Sequence, residues 1–221
     1  AGRTWRGEVV NKKRDGSFYD EELTIAPVLD DSGAIRHFVG IKQDITTRKQ
    51  MQAELHSLAS TDPLTGLPNR RHFLATLAQE SARIGRFPEV SAALLMLDLD
   101  HFKQVNDSHG HAAGDEVLQR FSELIQGSLR KTDLAGRLGG EEFAILLIGT
   151  SSADALEFAE RVRQSLDAEH IMIDGKSIHT TVSIGVTSLR QADVTADEAL
   201  ARADAALYQA KANGRNRVDV V

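Results

Sequence analysis

The stretch Arg137-Leu138-Gly139-Gly140-Glu141-Glu142-Phe143 decides how this chain folds. Its two adjacent glycines precede the apolar run 144–148, which is typical of the tip of a β-hairpin. Two carboxylates follow the turn, and glycine lets the backbone approach a ligand closely. The pattern therefore predicts a hairpin tip that can hold a divalent cation and a phosphate. Taken alone, the motif favours a solvated turn, and only acidic residues further upstream overturn that interpretation.

The composition is that of an ordinary globular protein. Of the 221 residues, 41% are hydrophobic and 26% are charged, which suffices for one full core and a smaller module. The net charge of −6 argues against a broad basic surface, so we expect no nucleic-acid partner. No apolar run is long enough for a membrane segment. The absence of Cys excludes disulfides, thiolate catalysis and Cys-ligated zinc. Because the sequence begins at Ala1 rather than Met, we expect a fragment of a longer chain.

Residues 1–46 are predicted to form a small β-unit. Three strand patterns, joined by turns at 15–16 and 31–33, cover Trp5–Val10, Phe18–Val28 and Ile35–Ile41. Three strands alone are too few for a good core. Together with the following run Asp44-Ile45-Thr46, this pattern resembles the C-terminal half of a PAS sensor domain whose N-terminal half is missing. Whether such a unit binds haem, flavin or no ligand stays open.

Residues 47–61 are predicted to form a helical linker. They contain no Gly or Pro and many good helix formers. Met51, Leu55 and Leu58 are spaced by four and three residues, which indicates a short coiled-coil seam. A single amphipathic helix packed on its own domain is the alternative. The position of the segment after a sensor-like unit favours the parallel dimer helix, so we expect a homodimer.

From residue 62 onward, strand and helix patterns alternate. The order β-α-β-β-α-β, with extra helices and a terminal strand, predicts an α+β fold of the ferredoxin-like type. Asn69 is predicted to cap the first helix. The predicted helices cover 69–83, 114–129, 152–168 and 195–213, and the predicted strands cover 91–97, the hairpin 133–149, 180–188 and 217–221.

A strand that is predicted to be buried ends in two aspartates. Alternation puts Asp98 and Asp100 on one face, where a carboxylate is costly unless it is paired or binds metal. In the predicted fold this strand neighbours the hairpin, so Asp98 and Glu141 can converge. Oxygen ligands without His or Cys indicate Mg²⁺ or Mn²⁺, and Mg²⁺ usually completes its shell with substrate phosphates. We therefore expect a nucleoside triphosphate or a similar substrate.

Six motifs with these spacings resemble the GGDEF family of diguanylate cyclases. They are Asp62–Arg71, Asp98–Asp107, Gly110–Asp115, Arg137–Phe143, Ser183–Val186 and Ala210–Asn216. The resemblance covers 62–221 nearly without a gap. It implies a palm-type nucleotide cyclase domain that condenses two GTP into cyclic di-GMP and releases two pyrophosphates. It also implies a homodimer and a bacterial cytoplasmic location, and leaves open whether the parent chain is anchored in a membrane.

The resemblance assigns roles to individual residues. The implied Mg²⁺ ligands are Asp98, Glu141 and the backbone carbonyl of Leu99. Glu141 is also implied as the acceptor of the ribose 3′-hydroxyl proton, with Glu142 as a weaker candidate. Asn106 and Asp115 are implied to recognise guanine, and His111 to contact the substrate. Lys103 is implied to stabilise the transition state, and Phe102-Lys103 to form a turn whose amides face the phosphates. Lys211 and Arg215, one helical turn apart in the last helix, are implied to contact phosphates. For Lys211 and Arg215 alone, a solvated helix end is the alternative.

Arg130 and Asp133 form an RxxD pattern ahead of the hairpin. A surface turn is the alternative, because this pattern is common by chance. The resemblance implies a product-inhibition site for cyclic di-GMP here, with Arg161 as a second arginine. Arginine suits such a site because its planar fork pairs with phosphate and stacks on guanine.

Three functions compete for this sequence. The first is an active cyclase regulated by its PAS-like unit, and the second is a catalytically silent receptor that binds cyclic di-GMP through Arg130 and Asp133. Degeneration usually removes the acidic pair or the glycines of the hairpin tip, and all of them are present. The sequence therefore favours the enzyme. A nucleotidyltransferase acting on a polynucleotide is disfavoured by the acidic charge balance.

Overall fold

The structure, a computed structural model, describes residues 3–51, 60–87, 89–193 and 195–221. The chain divides into two compact units, Ala1–Leu58 and Ala59–Val221. The finer division into a unit of 1–46, a linker of 47–61 and a domain of 62–221 stays a prediction. Within the described residues, every helix is too short or too polar to cross a bilayer.

The first unit is an antiparallel sheet of three strands in chain order. They are β1 (Trp5–Lys12), β2 (Phe18–Leu29) and β3 (Ile35–Asp44), which confirms the three predicted strands. Within residues 3–51, Ile45 is the one apolar side chain that is buried, whereas Phe18, Phe38 and Ile41 are each more than 60% exposed. Three strands therefore build no core of their own, as the sequence predicted.

The predicted linker helix is described only at its ends. Residues 46–51 are helical, and Met51 is 60% exposed. Leu55 and Leu58, which complete the predicted seam, lie outside the described residues. The coiled coil therefore stays a prediction.

The second unit is built on a mixed sheet of five strands in the order β10-β9-β4-β6-β5. Strand β10 runs parallel to β9, and the other neighbours are antiparallel. The strands are β4 (Ala92–Leu99), β5 (Leu134–Gly139), β6 (Glu142–Ile148), β9 (Val182–Ser188) and β10 (Val218–Val220), while β7 (Ile171–Ile173) and β8 (Lys176–Ile178) form a separate hairpin. The helices are α1 (Arg70–Arg86), α2 (Phe102–His109), α3 (His111–Ser128), α4 (Ser152–Asp167) and α5 (Ala196–Ala212).

Alternation along the central strand divides the core into two layers. The odd-numbered residues 93–99 of β4 pack with α3 and α4, and the even-numbered residues 92–96 pack with α1 and α5. Strand β6 follows the same rule, so that Phe143 meets Phe121 of α3 edge to face at 5.0 Å between ring centroids. Continuing this alternation places the side chain of Asp98 on the α5 side of the sheet.

One predicted boundary needs correction, and two elements were not predicted. The helix predicted from 114 begins at His111, because the left-handed Gly110 (φ +84°) redirects the chain there. Helix α2 (Phe102–His109) was not predicted, because its eight residues are too few for a clear helical periodicity. The hairpin of β7 and β8 was not predicted either, because its strands are only three residues long, too short for a periodicity to show.

Gly185 fixes how closely α5 lies on the sheet. A methyl group at this position would overlap the carbonyl oxygen of Ala203 and the amide nitrogen of Leu207. Both are backbone atoms, which cannot turn away as a flexible side chain can. Glycine therefore permits this approach, and the approach sets the position of Lys211, one turn after Leu207.

Candidate active site

Asp98 lies one residue before the end of the buried strand β4 and is itself only 8% exposed. Its Oδ2 lies 2.7 Å from the Lys211 Nζ in the last turn of α5. Burial raises the pKa of Asp98; the ion pair with Lys211 opposes that rise, and the nearby carboxylates of Glu141 and Glu142 add to it. The end of β4 is therefore a desolvated place with an excess of negative charge.

The β5–β6 turn brings both glutamates of the hairpin tip to Asp98. Gly139 and Gly140 have φ values of +152° and +51°, and the strand register places Glu142 directly opposite Asp98. The amide of Leu99 donates to the carbonyl of Glu141 at 3.4 Å. Glu141 is half-buried and Glu142 is exposed. The expected convergence of Asp98 and Glu141 is therefore present. Glu142, the weaker candidate in the sequence, is the residue that pairs with Asp98 across the two strands.

Arg137 holds this turn against the loop that opens the domain. Its Nε donates to the Gly140 carbonyl at 2.9 Å, and its Nη1 donates to the Asp62 carboxylate at 3.1 Å. Thr65 also donates to Asp62 through both its amide and its hydroxyl. Although desolvation acts against it, this set of donors lowers the pKa of Asp62. The position of the glutamates thus depends on a fixed ion pair 75 residues apart in sequence.

Helices α2 and α3 carry the predicted base-recognition residues. Asn106 lies against Gly114, because a methyl group on Gly114 would overlap the Asn106 Oδ1. Asp115 follows directly and is exposed, as is His111 in the first turn of α3. Gly114 therefore seats the Asn106 amide beside the backbone that carries Asp115.

The turn predicted at Phe102-Lys103 is in fact the first turn of α2. His101, with φ +57°, reverses the chain after β4 so that a helix starts at once. Phe102 is buried in the core and Lys103 is exposed. The amides at a helix start have no partner within the helix. The contact of the Phe102 and Lys103 amides with phosphates therefore stays a prediction, now for a helix start instead of a turn.

Lys211 and Arg215 do not share a helix, contrary to the prediction. Lys211 belongs to the last turn of α5, but the helix ends at Ala212 and Gly214 has φ +117°. Arg215 follows in a left-handed conformation, with φ +64°, and is exposed. Lys211 is therefore positioned by helix α5, and Arg215 by the turn that follows it.

Asp100 is a structural carboxylate rather than part of a cation site. The hydroxyls of Thr181 and Ser183 each donate to it at 2.7 Å, and the Asn216 amide donates at 3.0 Å. These three donors explain how a carboxylate that is 4% exposed is tolerated. This clamp was not predicted; the alternating hydroxyls at 181 and 183, at the start of a neighbouring strand, are the signal that could have indicated it.

A divalent cation fits the residues at the end of β4. No cluster of three or more His, Cys, Asp or Glu side chains arranged for a metal occurs in the described parts of the chain. Mg²⁺ needs fewer protein ligands when substrate phosphates complete its shell. Asp98, Glu141 and the Leu99 carbonyl supply oxygen donors only, and Asp98 is a desolvated carboxylate that already attracts a cation, the Lys211 ammonium. The donor set therefore suits Mg²⁺ or Mn²⁺ that arrives with a phosphate group.

A second group of predicted residues lines a cavity of about 140 Å³ on another part of the domain. Arg130, Asp133 and Arg161 all border it, as does Phe158. The Arg130 amide donates to the Asp133 carboxylate at 3.0 Å, and the Ile148 amide donates to the same carboxylate at 3.3 Å. The Arg161 guanidinium lies 5.1 Å from the centre of the Phe158 ring. The fold thus brings Arg161 to the RxxD turn, as expected.

Known proteins resemble this chain over its second unit. The model of the family described as "Diguanylate cyclase, GGDEF domain" matches residues 59–217. Diguanylate cyclase A of Treponema denticola is 42% identical over 168 residues, which are 75% of this chain and 45% of that protein. The chain thus spans about half the length of this curated relative.

Two solved structures show the same fold. The coiled coil and GGDEF domain of DgcB from Caulobacter crescentus, in complex with c-di-GMP, superposes with a TM-score of 0.76 at 28% identity, covering 80% of this chain and 93% of that chain. Diguanylate cyclase SiaD from Pseudomonas aeruginosa, in complex with its activator SiaC, gives a TM-score of 0.72 at 41% identity, covering 79% of this chain and 66% of that chain.

Proposed function

The chain belongs to the GGDEF family of diguanylate cyclase domains, and on that premise we propose that it condenses two GTP into cyclic di-GMP and releases two pyrophosphates. One observation carries the proposal: Asp98, Glu141 and Glu142 meet at the ends of two neighbouring antiparallel strands. The names of its relatives and the cyclic di-GMP bound to the DgcB domain support the same activity. Because the substrate is GTP, the reaction takes place in the bacterial cytoplasm.

In this proposal the acidic residues bind the cation and move one proton. Asp98, the Leu99 carbonyl and Glu141 hold Mg²⁺ or Mn²⁺, which when bound lowers the pKa of the ribose 3′-hydroxyl and offsets charge on the phosphates. Glu141 accepts the hydroxyl proton, and Glu142 is the weaker candidate for that role. Lys103, Lys211 and Arg215 contact the phosphates, with the amides of Phe102 and Lys103 at the start of α2 directed to the same groups.

Base selection rests on α2 and α3. Asp115 as a carboxylate accepts hydrogen bonds from both N1–H and the exocyclic amino group of guanine, which adenine cannot offer together. The Asn106 amide, seated against Gly114, reads a second edge of the base. His111, four residues before Asp115 on α3, supplies a further substrate contact.

Incubation of the protein with GTP and Mg²⁺, followed by chromatography of the products, tests the activity directly. Cyclic di-GMP and pyrophosphate in a ratio of one to two support the cyclase. The competing function is a catalytically silent receptor. Binding of cyclic di-GMP without any product formation would establish that receptor and overturn the cyclase.

Two copies of the chain are needed for the reaction. Each domain has residues for one GTP, and the product contains two, so each 3′-hydroxyl attacks the α-phosphate held by the other copy across a two-fold axis. The predicted linker helix, with Met51, Leu55 and Leu58 on its seam, would raise the effective concentration of the two domains. The PAS-like unit of residues 1–46 regulates the enzyme by changing how this helix aligns them.

We expect the specific activity of the wild type to fall on dilution. When Leu55 and Leu58 are both replaced by Lys, this loss of activity should begin at a higher protein concentration. Loss of the seam weakens association, so the double variant should recover part of its activity as concentration rises. Initial rates of pyrophosphate release over a dilution series measure this. A matched variant with two surface substitutions outside the linker, Gln126→Lys and Gln164→Lys, should follow the wild-type curve. Flat activity per molecule in all three proteins would contradict the dimer mechanism.

The RxxD cavity is proposed to bind the product. Arg130 and Arg161 approach it from different elements, the turn before β5 and helix α4. Two guanidinium groups in one cavity suit a ligand with two phosphates and two guanines. Asp133 already accepts two backbone hydrogen bonds, so its carboxylate has a defined position from which it can meet a guanine edge.

Arg130→Ala is expected to relieve product inhibition. Removal of the Arg130 guanidinium should weaken cyclic di-GMP binding at this cavity by about tenfold or more. Initial rates measured before product accumulates should stay within about twofold of the wild type. Progress curves with added cyclic di-GMP measure the effect. Lys131→Ala removes the neighbouring exposed cation as a control. Unchanged inhibition in Arg130→Ala would remove Arg130 from the inhibitory site.

A further inference from the structure

The ion pair between Lys211 and Asp98 occupies the position at which a divalent cation is proposed to bind. The ammonium lies 2.7 Å from Oδ2, and the side chain of Asp98 is 11% exposed while that of Lys211 is 33% exposed. The pair is thus shielded on the carboxylate side and open on the lysine side. The role proposed above for Lys211 is to contact a phosphate. That role does not explain why its ammonium is paired with Asp98, a proposed metal ligand.

We propose that Lys211 is an exchangeable counter-ion: its ammonium and a divalent cation exclude each other at Asp98, and the nucleotide triphosphate resolves the competition by drawing Lys211 to its phosphates. The inference rests on the proposed function, since it assumes that Asp98 is a metal ligand. Its consequence is that the nucleotide-free protein binds the cation weakly, and that cation and triphosphate enter together.

Charge and space both make the two cations exclusive. An ammonium within hydrogen-bond distance of Oδ2 occupies a lone pair that the metal would use. Two positive charges at one shielded carboxylate also repel each other strongly, since solvent screening is weak there. The free carboxylate is costly as well, because burial and the neighbouring Glu141 and Glu142 all oppose its charge. One cation is therefore required at Asp98, and the ammonium and the divalent cation compete for that place.

The position of Lys211 allows it to leave Asp98 without disturbing the fold. It stands in the last turn of α5, a third of its side chain is exposed, and its flexible four-carbon stem can place the ammonium elsewhere. The helix backbone below it is held against β9 at Gly185, so only the side chain needs to move. By linkage, the factor by which the triphosphate raises the affinity for the cation equals the factor by which the cation raises the affinity for the triphosphate.

The test measures Mn²⁺ binding to nucleotide-free protein, by electron paramagnetic resonance of free Mn²⁺ and by calorimetry, at mildly alkaline pH. Lys211→Met, which keeps the stem and removes the charge, should bind Mn²⁺ about tenfold or more tightly than the wild type. Lys211→Arg keeps a cation and should stay weak. Lys176→Met, in β8, makes the same change in net charge at an exposed position and should also match the wild type.

Two further arms tie the gain to Asp98 and to the nucleotide. In the double variant Lys211→Met with Asp98→Asn, the added Mn²⁺ affinity should disappear. A GTP analogue with a methylene group between its α and β phosphorus atoms should raise Mn²⁺ affinity in the wild type, and by a smaller factor in Lys211→Met. Lys211→Ala serves as a second neutral variant, since alanine favours the helix; circular dichroism identifies any variant that does not fold.

Equal or weaker Mn²⁺ binding in the folded neutral variants would overturn the proposal. A gain that persists with Asp98→Asn would do the same, because the competition would then lie elsewhere. These readouts do not depend on turnover. A wild type that makes no cyclic di-GMP would refute the cyclase while leaving the Mn²⁺ comparison intact, and normal product formation with no Mn²⁺ gain would refute only the exchange at Asp98.

Discussion

Glu141→Gln is expected to abolish turnover while leaving the fold intact. The residue lies in the β5–β6 turn, half-buried, with its backbone held to Leu99 rather than its side chain packed in the core. An amide is a poorer cation ligand than a carboxylate and cannot accept the proton. Loss of a general base and of a metal ligand is each worth about a hundredfold or more in rate, so the combined loss should reach the assay background.

Pyrophosphate release and thermal unfolding of the same preparation check this expectation together. Glu142→Gln is the matched control, since it makes the same change at the neighbouring exposed carboxylate opposite Asp98. Its rate should fall less, because the proposal makes Glu142 no cation ligand and only the weaker candidate for accepting the proton. If Glu141→Gln kept more than about a tenth of the wild-type rate, Glu141 could be neither base nor essential ligand. An equal loss in both variants would make the two glutamates a functional pair.

Much of the second unit follows from local patterns in the sequence. Asn69 caps α1, as predicted, by accepting from the His72 amide at 3.0 Å. The apolar strand β4 and the hairpin of β5 and β6 were predicted because alternation and adjacent glycines are strong local signals. These elements alone bring Asp98 to the glutamates of the turn. Proximity at the candidate site was thus predictable.

The sequence does not show which hydrogen-bond or ion-pair partner each buried carboxylate has. Asp98 and Asp100 look equivalent in sequence, yet one is paired with Lys211 and the other is clamped by Thr181, Ser183 and the Asn216 amide. Such partners lie 81 to 116 residues away for Asp100 and depend on the packing of β9 and α5. The predicted end of α5 at 213 is confirmed within one residue, but the resemblance wrongly placed Arg215 in the same helix, and a left-handed conformation at a non-glycine residue has no clear sequence signal.

Asp115→Ser is expected to reduce the preference for GTP over ATP by about a hundredfold. A site that pairs with the N1–H and amino group of guanine rejects adenine because the carboxylate is then left without its donors and faces the adenine N1 lone pair. Serine cannot accept both hydrogen bonds and does not repel adenine. The effect should be smaller than in a fully buried site, because Asp115 is exposed in α3.

The measurement compares kcat/KM for GTP and ATP by pyrophosphate release, with the condensed products separated by chromatography. The preference should fall mainly through slower use of GTP, and ATP turnover should rise or stay constant. Glu116→Ser is the control, because it removes a carboxylate from the next position of the same helix. Glu116 lines a cavity together with residues of β7, whereas Asn106 lies beside Gly114. That variant should keep the wild-type ratio. A ratio unchanged in Asp115→Ser would remove Asp115 from base selection, and Asn106, seated against Gly114, would then have to supply the discrimination alone.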